Sequence, residues 1–405
     1  MVYAFDPAAR GHVPLELMKD AAERYGYIVA GSNNSRNGDW KLELEAAQAM
    51  LEDTHRRLAI DDRRLYFAGF SGGARVASAI AEICKCAAGV MLNGAGFPTQ
   101  TPPSRSVVFA VYAAVGEVDF NYPEVMELDE KLQQEGFPHW LRHFDGGHDW
   151  APARVMEEGL AWLRLMAMKQ GRESPDARFV SALRDAGMDR ARSLEGAGDI
   201  YAAWQEYRQL ARTFEGLGDA GLLQARAAAL AKDKAVRDGV KREKQDFAEQ
   251  ERLTEHISAG LGALRENSPE RAEIRAQTEQ QIIALRELAK SERHAEEQRV
   301  LHRALSGTLV EAMAEGENCL EAKDAKRAKD YFELAAQADP GSSWALRSVA
   351  QARALSGDRK GTMEALRRAK EKSKDDAAFA RWLKEEPAFD KMRDDPQFLA
   401  LAGNP

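Results

Sequence analysis

The sequence predicts an α/β domain over about residues 1–170, followed by an all-helical region that runs to the end of the chain. Up to about Met168, short apolar runs alternate with amphipathic stretches, which is typical of a mostly parallel sheet covered by helices on both faces. From about Ser174 the strand patterns cease, and Ala, Leu, Glu, Lys, Arg and Gln dominate with helical spacing of the apolar residues. Gly171 and Ser174-Pro175 interrupt the chain at this change of period, so we place the boundary there.

The α/β region contains six predicted strands separated by five predicted helices. The strands are Val2–Phe5, Tyr27–Gly31, Leu65–Gly69, Gly89–Leu92, Val107–Ala113 and Trp140–Phe144. The helices are Pro14–Tyr25, Leu42–Leu58, Gly72–Ile83, Pro123–Glu135 and Ala151–Met168. Because helices connect the strands, the sheet is expected to be mostly parallel.

The helical region contains a repeat with an offset of 34 residues. Lys323-Asp324 precedes Ala328 and Tyr331-Phe332, and Gly357-Asp358 precedes Ala365-Leu366. A related pattern follows Gly198-Asp199. A helix-turn-helix period of this length is that of tetratricopeptide repeats, which residues 171–232 and 306–405 resemble.

Residues 233–305 lie between these two segments and are highly charged, as in Lys241-Arg242-Glu243-Lys244. They are predicted to form either one long hairpin of helices or a coiled-coil-like spacer, with a turn at Glu266-Asn267-Ser268-Pro269. Most of the charge is interpreted as a solvated helix surface.

Composition and charge exclude some classes of function. The formal net charge is -8, which argues against general nucleic-acid binding. No run approaches the roughly 20 apolar residues that span a bilayer, and the N-terminus lacks the pattern of a secretion signal. As written, the chain is therefore expected to be cytoplasmic and to have no membrane span.

Cysteine is sparse. Cys84 and Cys86 are close together, and Cys319 lies far along the chain, so no disulfide framework is predicted. Because no Cys or His with zinc-site spacing accompanies the Cys-x-Cys pair, we expect structural thiols and predict neither a metal nor a cofactor.

The clearest chemical motif is Gly69-Phe70-Ser71-Gly72-Gly73, which joins a predicted strand to a predicted helix. A nucleophile on such a tight turn is exposed, and side chains at positions 69 and 73 would collide as strand and helix converge. The turn also directs the N–H of Gly72 towards a developing oxyanion.

A serine hydroxyl needs an imidazole to accept its proton and a carboxylate to orient that imidazole. His148 follows the last predicted strand and two glycines, which make a close-approaching loop. His12 and His143 are weaker candidates for the base. Two carboxylates follow the preceding strand, Glu117 and Asp119.

With these motifs, residues 1–168 resemble α/β-hydrolases. The segment from Ile60-Asp61 to Gly73 is most similar to compact esterases related to polyhydroxybutyrate depolymerases, feruloyl esterases and dienelactone hydrolases. The resemblance implies the triad order Ser, acid, His and favours Asp119 over Glu117 as the acid. A serine nucleophile, where true dienelactone hydrolases have cysteine, implies hydrolysis of an ester, or alternatively of an amide, through an acyl-enzyme.

The resemblance also implies a second oxyanion donor in the loop after the first strand. Pro7 has no N–H, so Ala8 is the predicted donor. The loop after Tyr27–Gly31 is expected at the ligand-binding edge of the sheet. The predicted pocket residues are Asn33, Asn34, Ser35 and Trp150.

The leading hypothesis is a hydrolase of small-molecule or polymeric esters whose helical repeats bind a protein partner or cover the site. The alternatives are an interaction scaffold with a degenerate hydrolase domain and a serine peptidase. The chain begins at what would be the third family strand, which leaves Tyr27–Gly31 at an edge. We expect either an upstream native start, with a signal peptide and periplasmic or secreted location, or an edge covered by the helical region or a second subunit.

Overall fold

The computed structural model describes residues 1–38, 40–98, 109–217, 220–266, 268–291, 294–373 and 375–402. The chain divides into two compact units, Met1–Gln245 and Asp246–Pro405. The boundary predicted near residue 170 falls inside the first unit, because the helices that follow it pack against the α/β part.

The first unit is built on a six-stranded sheet in which every strand pair is parallel. The strands are β1 (Val2–Phe5), β2 (Val29–Gly31), β3 (Leu65–Phe70), β4 (Ala87–Asn93), β5 (Ala110–Gly116) and β6 (His139–Phe144). Their order is β2-β1-β3-β4-β5-β6, so the predicted parallel sheet is confirmed and β2 lies at an edge. Residues 107 and 108 of the fifth predicted strand lie outside the described residues.

Helices cover both faces of the sheet. Every residue of β3, β4 and β5 is buried, and successive side chains of a strand point to opposite faces. Both faces are therefore excluded from water, which explains the near-continuous apolar runs. The helices of this part are α1 (His12–Tyr25), α2 (Trp40–Arg57), α3 (Gly72–Cys84), α4 (Tyr122–Glu135) and α5 (Ala153–Lys169).

Three further helices belong to the same unit: α6 (Ala177–Gly196), α7 (Ile200–Thr213) and α8 (Ala220–Leu230). Gln209 of α7 donates to the backbone oxygen of His139 in β6 at 2.8 Å. Glu206, which is buried, accepts from Arg142 of β6 and Arg190 of α6, each at 2.9 Å. These bonds to β6 join the helices of residues 171–232 to the sheet.

The second unit is helical throughout its described residues. Helix α9 (Lys234–Ala263) contains the division between the units, and residue 267 of the predicted turn lies outside the described residues. The remaining helices are α10 (Arg271–Lys290), α11 (Ala295–Glu321), α12 (Ala325–Ala338), α13 (Ser343–Leu355), α14 (Arg359–Glu371), α15 (Asp376–Glu385) and α16 (Pro396–Leu401).

The charged segment contributes to the core of this unit. Ile257 and Leu261 of α9 and Ile282 of α10 are buried in one cluster with Tyr331 and Phe332 of α12. The hydroxyl of Tyr331 donates to the backbone oxygen of Leu261 at 3.0 Å. Apolar residues on one face of α9 and α10 therefore pack inward, and the charges occupy the remaining surface.

The repeated sequence pattern corresponds to a repeated helix start. The aspartates that begin α7, α12 and α14 each accept a backbone N–H three residues later, as N-caps do. The residue before each aspartate has a left-handed backbone with φ between 61° and 83°. These pairs are Gly198-Asp199, Lys323-Asp324 and Gly357-Asp358.

Cys84 and Cys86 form a disulfide, so the expectation of free structural thiols at these positions was wrong. Lys85 between them has a left-handed backbone with φ of 53°, and the two Cα atoms lie 5.1 Å apart, within the usual range for a disulfide. Cys319 is free. Within the described ranges, no helix is both long and apolar enough to cross a membrane, and no three His, Cys, Asp or Glu side chains cluster as metal ligands would.

Candidate active site

Ser71 lies on a strained turn between β3 and α3. Its backbone angles are φ 53° and ψ -120°, a region that residues other than glycine seldom occupy. The Ser71 N–H donates to the backbone oxygen of Asn93 at the end of β4, at 2.8 Å. This bond to the neighbouring strand helps to hold the serine in that conformation.

Two glycines let the chain pack closely around this turn. A Cβ at Gly69 would lie 2.0 Å from the backbone oxygen of Gly73, and one at Gly73 would lie 2.0 Å from that of Phe5. Both distances are far below van der Waals contact. Positions 69 and 73 therefore need glycine for β3, α3 and β1 to approach one another.

A chain of hydrogen bonds runs from the serine to a buried carboxylate. His148 Nε2 lies 2.9 Å from Ser71 Oγ, and His148 Nδ1 lies 2.9 Å from both carboxylate oxygens of Asp119. The Asp119 side chain is fully buried, whereas that of His148 is 17% exposed. The imidazole thus bridges a protected carboxylate and a hydroxyl at the turn.

Neighbouring groups fix both partners of the serine. The Asn121 N–H donates to Asp119 Oδ1 at 2.8 Å, and the Asn121 side chain donates to the backbone oxygen of Gly94 at 2.8 Å. The rings of Phe70 and Phe120 lie 4.7 Å and 4.4 Å from the imidazole of His148. The sequence motifs did not indicate Phe120 or Asn121, although both directly follow Asp119.

The competing acid Glu117 and the competing bases His12 and His143 take no part in the hydrogen bonds that join Ser71, His148 and Asp119. Glu117 Oε1 is 3.0 Å from His143 Nδ1, so this carboxylate faces a different imidazole. His12 begins α1. Of the carboxylates weighed for His148, Asp119 is the one in hydrogen-bond contact with it.

The start of α3 provides an unoccupied backbone donor beside Ser71, the N–H of Gly72. Among the described residues, the Gly72 N–H donates no hydrogen bond. The N-terminus of a helix carries partial positive charge, which favours an anion at this position. This N–H is therefore available to an oxyanion that forms at Ser71.

The Ala8 N–H, which we predicted as the second oxyanion donor, already makes a hydrogen bond within its own loop. The Ala8 N–H donates to Oδ1 of Asp6 at 2.9 Å, so it does not have the free N–H that we predicted. The reason is the aspartate at position 6, whose carboxylate accepts bonds from the loop that follows it. The sequence pattern predicted a donor in the loop after β1 but did not indicate that the Asp6 carboxylate accepts from the Ala8 N–H.

Asp6 joins that loop to the segment that carries His148. Its fully buried carboxylate accepts from Arg10 Nε at 2.9 Å and from Trp150 Nε1 at 2.9 Å. Burial alone would raise the pKa of Asp6, but the hydrogen bonds from Arg10, Trp150 and Ala8 outweigh it and lower the pKa. No motif indicated this residue.

Asp6→Asn is expected to lower the free energy of unfolding by about 2 kcal/mol, because the amide loses the charge and one acceptor for buried donors. The folded-state pKa of Asp6 lies below the unfolded value of about 3.9, so its contribution is present above about pH 4 and is lost as pH falls. Urea unfolding at pH 7 and pH 3 should show a difference between wild type and variant that shrinks at the lower pH. An equal difference at both values would contradict this role.

The predicted pocket residues divide into two groups. Asn34 is exposed, whereas Asn33 Oδ1 accepts the N–H of Gly11 at 3.2 Å. Ser35 is buried against Glu43, and Trp150 is buried with its N–H on Asp6. Ser35 and Trp150 are therefore not open to a substrate as predicted, since their polar atoms hold the surrounding loops together.

Neither a protein-family model nor a curated protein sequence matches the chain. Two solved structures from Staphylococcus aureus resemble it at low identity. One is the fluorophosphonate-binding serine hydrolase FphF with substrate bound, at 11% identity and a TM-score of 0.34, covering 40% of this chain and 82% of that one. The other is the S-formylglutathione hydrolase FrmB as apoenzyme, at 12% identity and a TM-score of 0.34, covering 40% and 80%.

Proposed function

We propose that the chain is a serine hydrolase that cleaves carboxylic esters through an acyl-enzyme intermediate. The observation that carries this proposal is the hydrogen-bonded chain from Ser71 through His148 to Asp119. The strained turn at Ser71 and the free N–H of Gly72 add support. Such a turn exposes a nucleophilic serine, and the N–H that follows it stabilises the oxyanion of acyl transfer.

In the proposed reaction, Ser71 Oγ attacks the ester carbonyl carbon while His148 Nε2 accepts the hydroxyl proton. Asp119 holds the Nδ1–H of the imidazole and stabilises the imidazolium that forms. The Gly72 N–H donates to the oxyanion of the tetrahedral intermediate. His148 then gives its proton to the departing alkoxide, which leaves as the alcohol, and a water molecule releases the acid by the same steps.

The ester substrate rests on the resemblance to compact esterases, since the same three groups also cleave amides. The helical repeats are proposed to be tetratricopeptide-like and to bind a protein partner, because their helix starts recur with the same cap at a 34-residue offset. A scaffold without activity is the rival function. The occupied N–H of Ala8 favours that rival, because it removes one expected oxyanion donor.

The test is to incubate the full chain with a fluorophosphonate probe and to measure its intact mass. One adduct per chain, mapped by peptide sequencing to Ser71, is the expected result. A panel of p-nitrophenyl esters and aminoacyl amides then defines the substrate. No adduct at Ser71 and no turnover would favour the scaffold, and turnover of the amides alone would favour a peptidase.

A further inference from the structure

Asn37 places a carboxamide beside the proposed oxyanion site. It lies in the loop between β2 and α2, and its backbone N–H donates to the oxygen of Pro7 at 2.9 Å. A Cβ built on Gly72 would lie 1.8 Å from Asn37 Oδ1, 2.8 Å from its Cγ and 3.3 Å from its Nδ2. The carboxamide therefore lies against the Cα of Gly72, in the space where a larger residue would have its side chain.

The direction of that contact places the amide at the reacting end of α3. The Cα–Cβ bonds of an α-helix tilt towards its N-terminus, so a group in the Cβ position of Gly72 lies on the N-terminal side. The Ser71 hydroxyl and the free N–H of Gly72 are at the same end. The side chain of Asn37 is exposed and makes no hydrogen bond to any other described residue, which leaves it available to an incoming group.

Among the described residues, the Gly72 N–H donates no hydrogen bond, whereas the Ala8 N–H, the predicted second donor, is bound to Asp6. The terminal torsion of asparagine has a broad range, so rotation of the carboxamide can present Nδ2 instead of Oδ1. We propose that Nδ2 of Asn37 donates the second hydrogen bond to the oxyanion formed when Ser71 attacks its substrate, in place of Ala8. This inference rests on the proposed function.

Backbone contacts hold the loop that carries Asn37 in a fixed position. Arg36 pairs with Ala8 in an isolated antiparallel bridge, and the Arg36 N–H donates to the Glu43 carboxylate at 2.7 Å. With the bond from Asn37 to Pro7, these contacts tie the loop to the segment after β1 and to α2. Donors on such a fixed backbone need little reorganisation as charge develops.

The test uses Asn37→Ala and Asn37→Asp in the full chain, with Arg36→Ala as a control in the same loop. Both Asn37 variants are expected to lower kcat about 10²- to 10³-fold and to change KM less than about threefold, since the bond forms only in the transition state. The rate of fluorophosphonate labelling should fall by a similar factor. The aspartate keeps the size of the side chain but removes the donor, so it decides the result if the alanine variant is destabilised.

The outcomes separate this inference from the proposed function. A wild-type chain that is not labelled at Ser71 would remove the proposed function and this inference with it. Labelling of wild type, Asn37→Asp and Arg36→Ala at equal rates would overturn only the role of Asn37. A loss of activity in Asn37→Asp that arises from a higher KM, with kcat unchanged, would likewise overturn it.

Discussion

Replacing Ser71 with alanine is expected to lower kcat for ester hydrolysis about 10⁶-fold, because no other group can form the acyl-enzyme. The remaining hydrolysis would depend on water at an otherwise intact site. The loss of activity is measured as the steady-state rate with a p-nitrophenyl ester. The loss of labelling is measured as intact mass after fluorophosphonate treatment. The fold should be unaffected, since the variant removes one hydroxyl group that lies at the surface of the turn.

Ser78→Ala is the matched control for that variant. Ser78 lies on the same helix α3, and its hydroxyl donates to the backbone oxygen of Arg75 within that helix, at 3.0 Å. Its removal should leave both the rate and the labelling at wild-type values. If Ser71→Ala kept a tenth of the wild-type rate, the activity would have to come from another nucleophile.

Asp119→Asn is expected to lower kcat about 10⁴-fold with little change in stability. The carboxylate contacts Nδ1 of His148 through both oxygens, which fixes the imidazole proton on Nδ1 and leaves Nε2 free to accept from Ser71. An asparagine amide can donate to Nδ1, which moves the imidazole proton to Nε2 and prevents that step. The measurement is kcat as a function of pH, alongside a thermal melt.

Glu117→Gln distinguishes the two acids that follow β5. Glu117 pairs with His143, so its variant should keep kcat within about threefold of wild type. If Glu117→Gln lost activity while Asp119→Asn kept it, the assignment of the acid would be wrong.

Much of the α/β part could be predicted because its signals are local. Each of the six strands was predicted within a few residues of its observed bounds, since apolar runs between helices reflect burial on both faces. The motif around Ser71 was informative for a similar reason. Glycines at positions 69 and 73 indicated that two backbone segments approach closely there. In the structure, Gly69 packs against the backbone of Gly73, and Gly73 packs against the backbone of Phe5.

Other features depend on residues that are distant in sequence. The contact of Asn37 with Gly72 and the bond from Trp150 to Asp6 join separate loops, and neither leaves a pattern in the chain. The extension of the first compact unit past residue 170 to Gln245 has a related reason. A change from α/β to helical periodicity marks a change of secondary structure, whereas the extent of a compact unit depends on which surfaces those helices cover.

The sequence by itself determined the parallel sheet, the helical region and the position of Ser71 on a strand-to-helix turn, because periodicity and glycine spacing are properties of neighbouring residues. Only the tertiary structure decided which carboxylate faces His148, that Asp6 occupies the Ala8 N–H, and that Asn37 lies over Gly72. The physical reason is that a hydrogen bond forms within about 3 Å. Such distances between loops are fixed by the packing of the whole sheet and its helices.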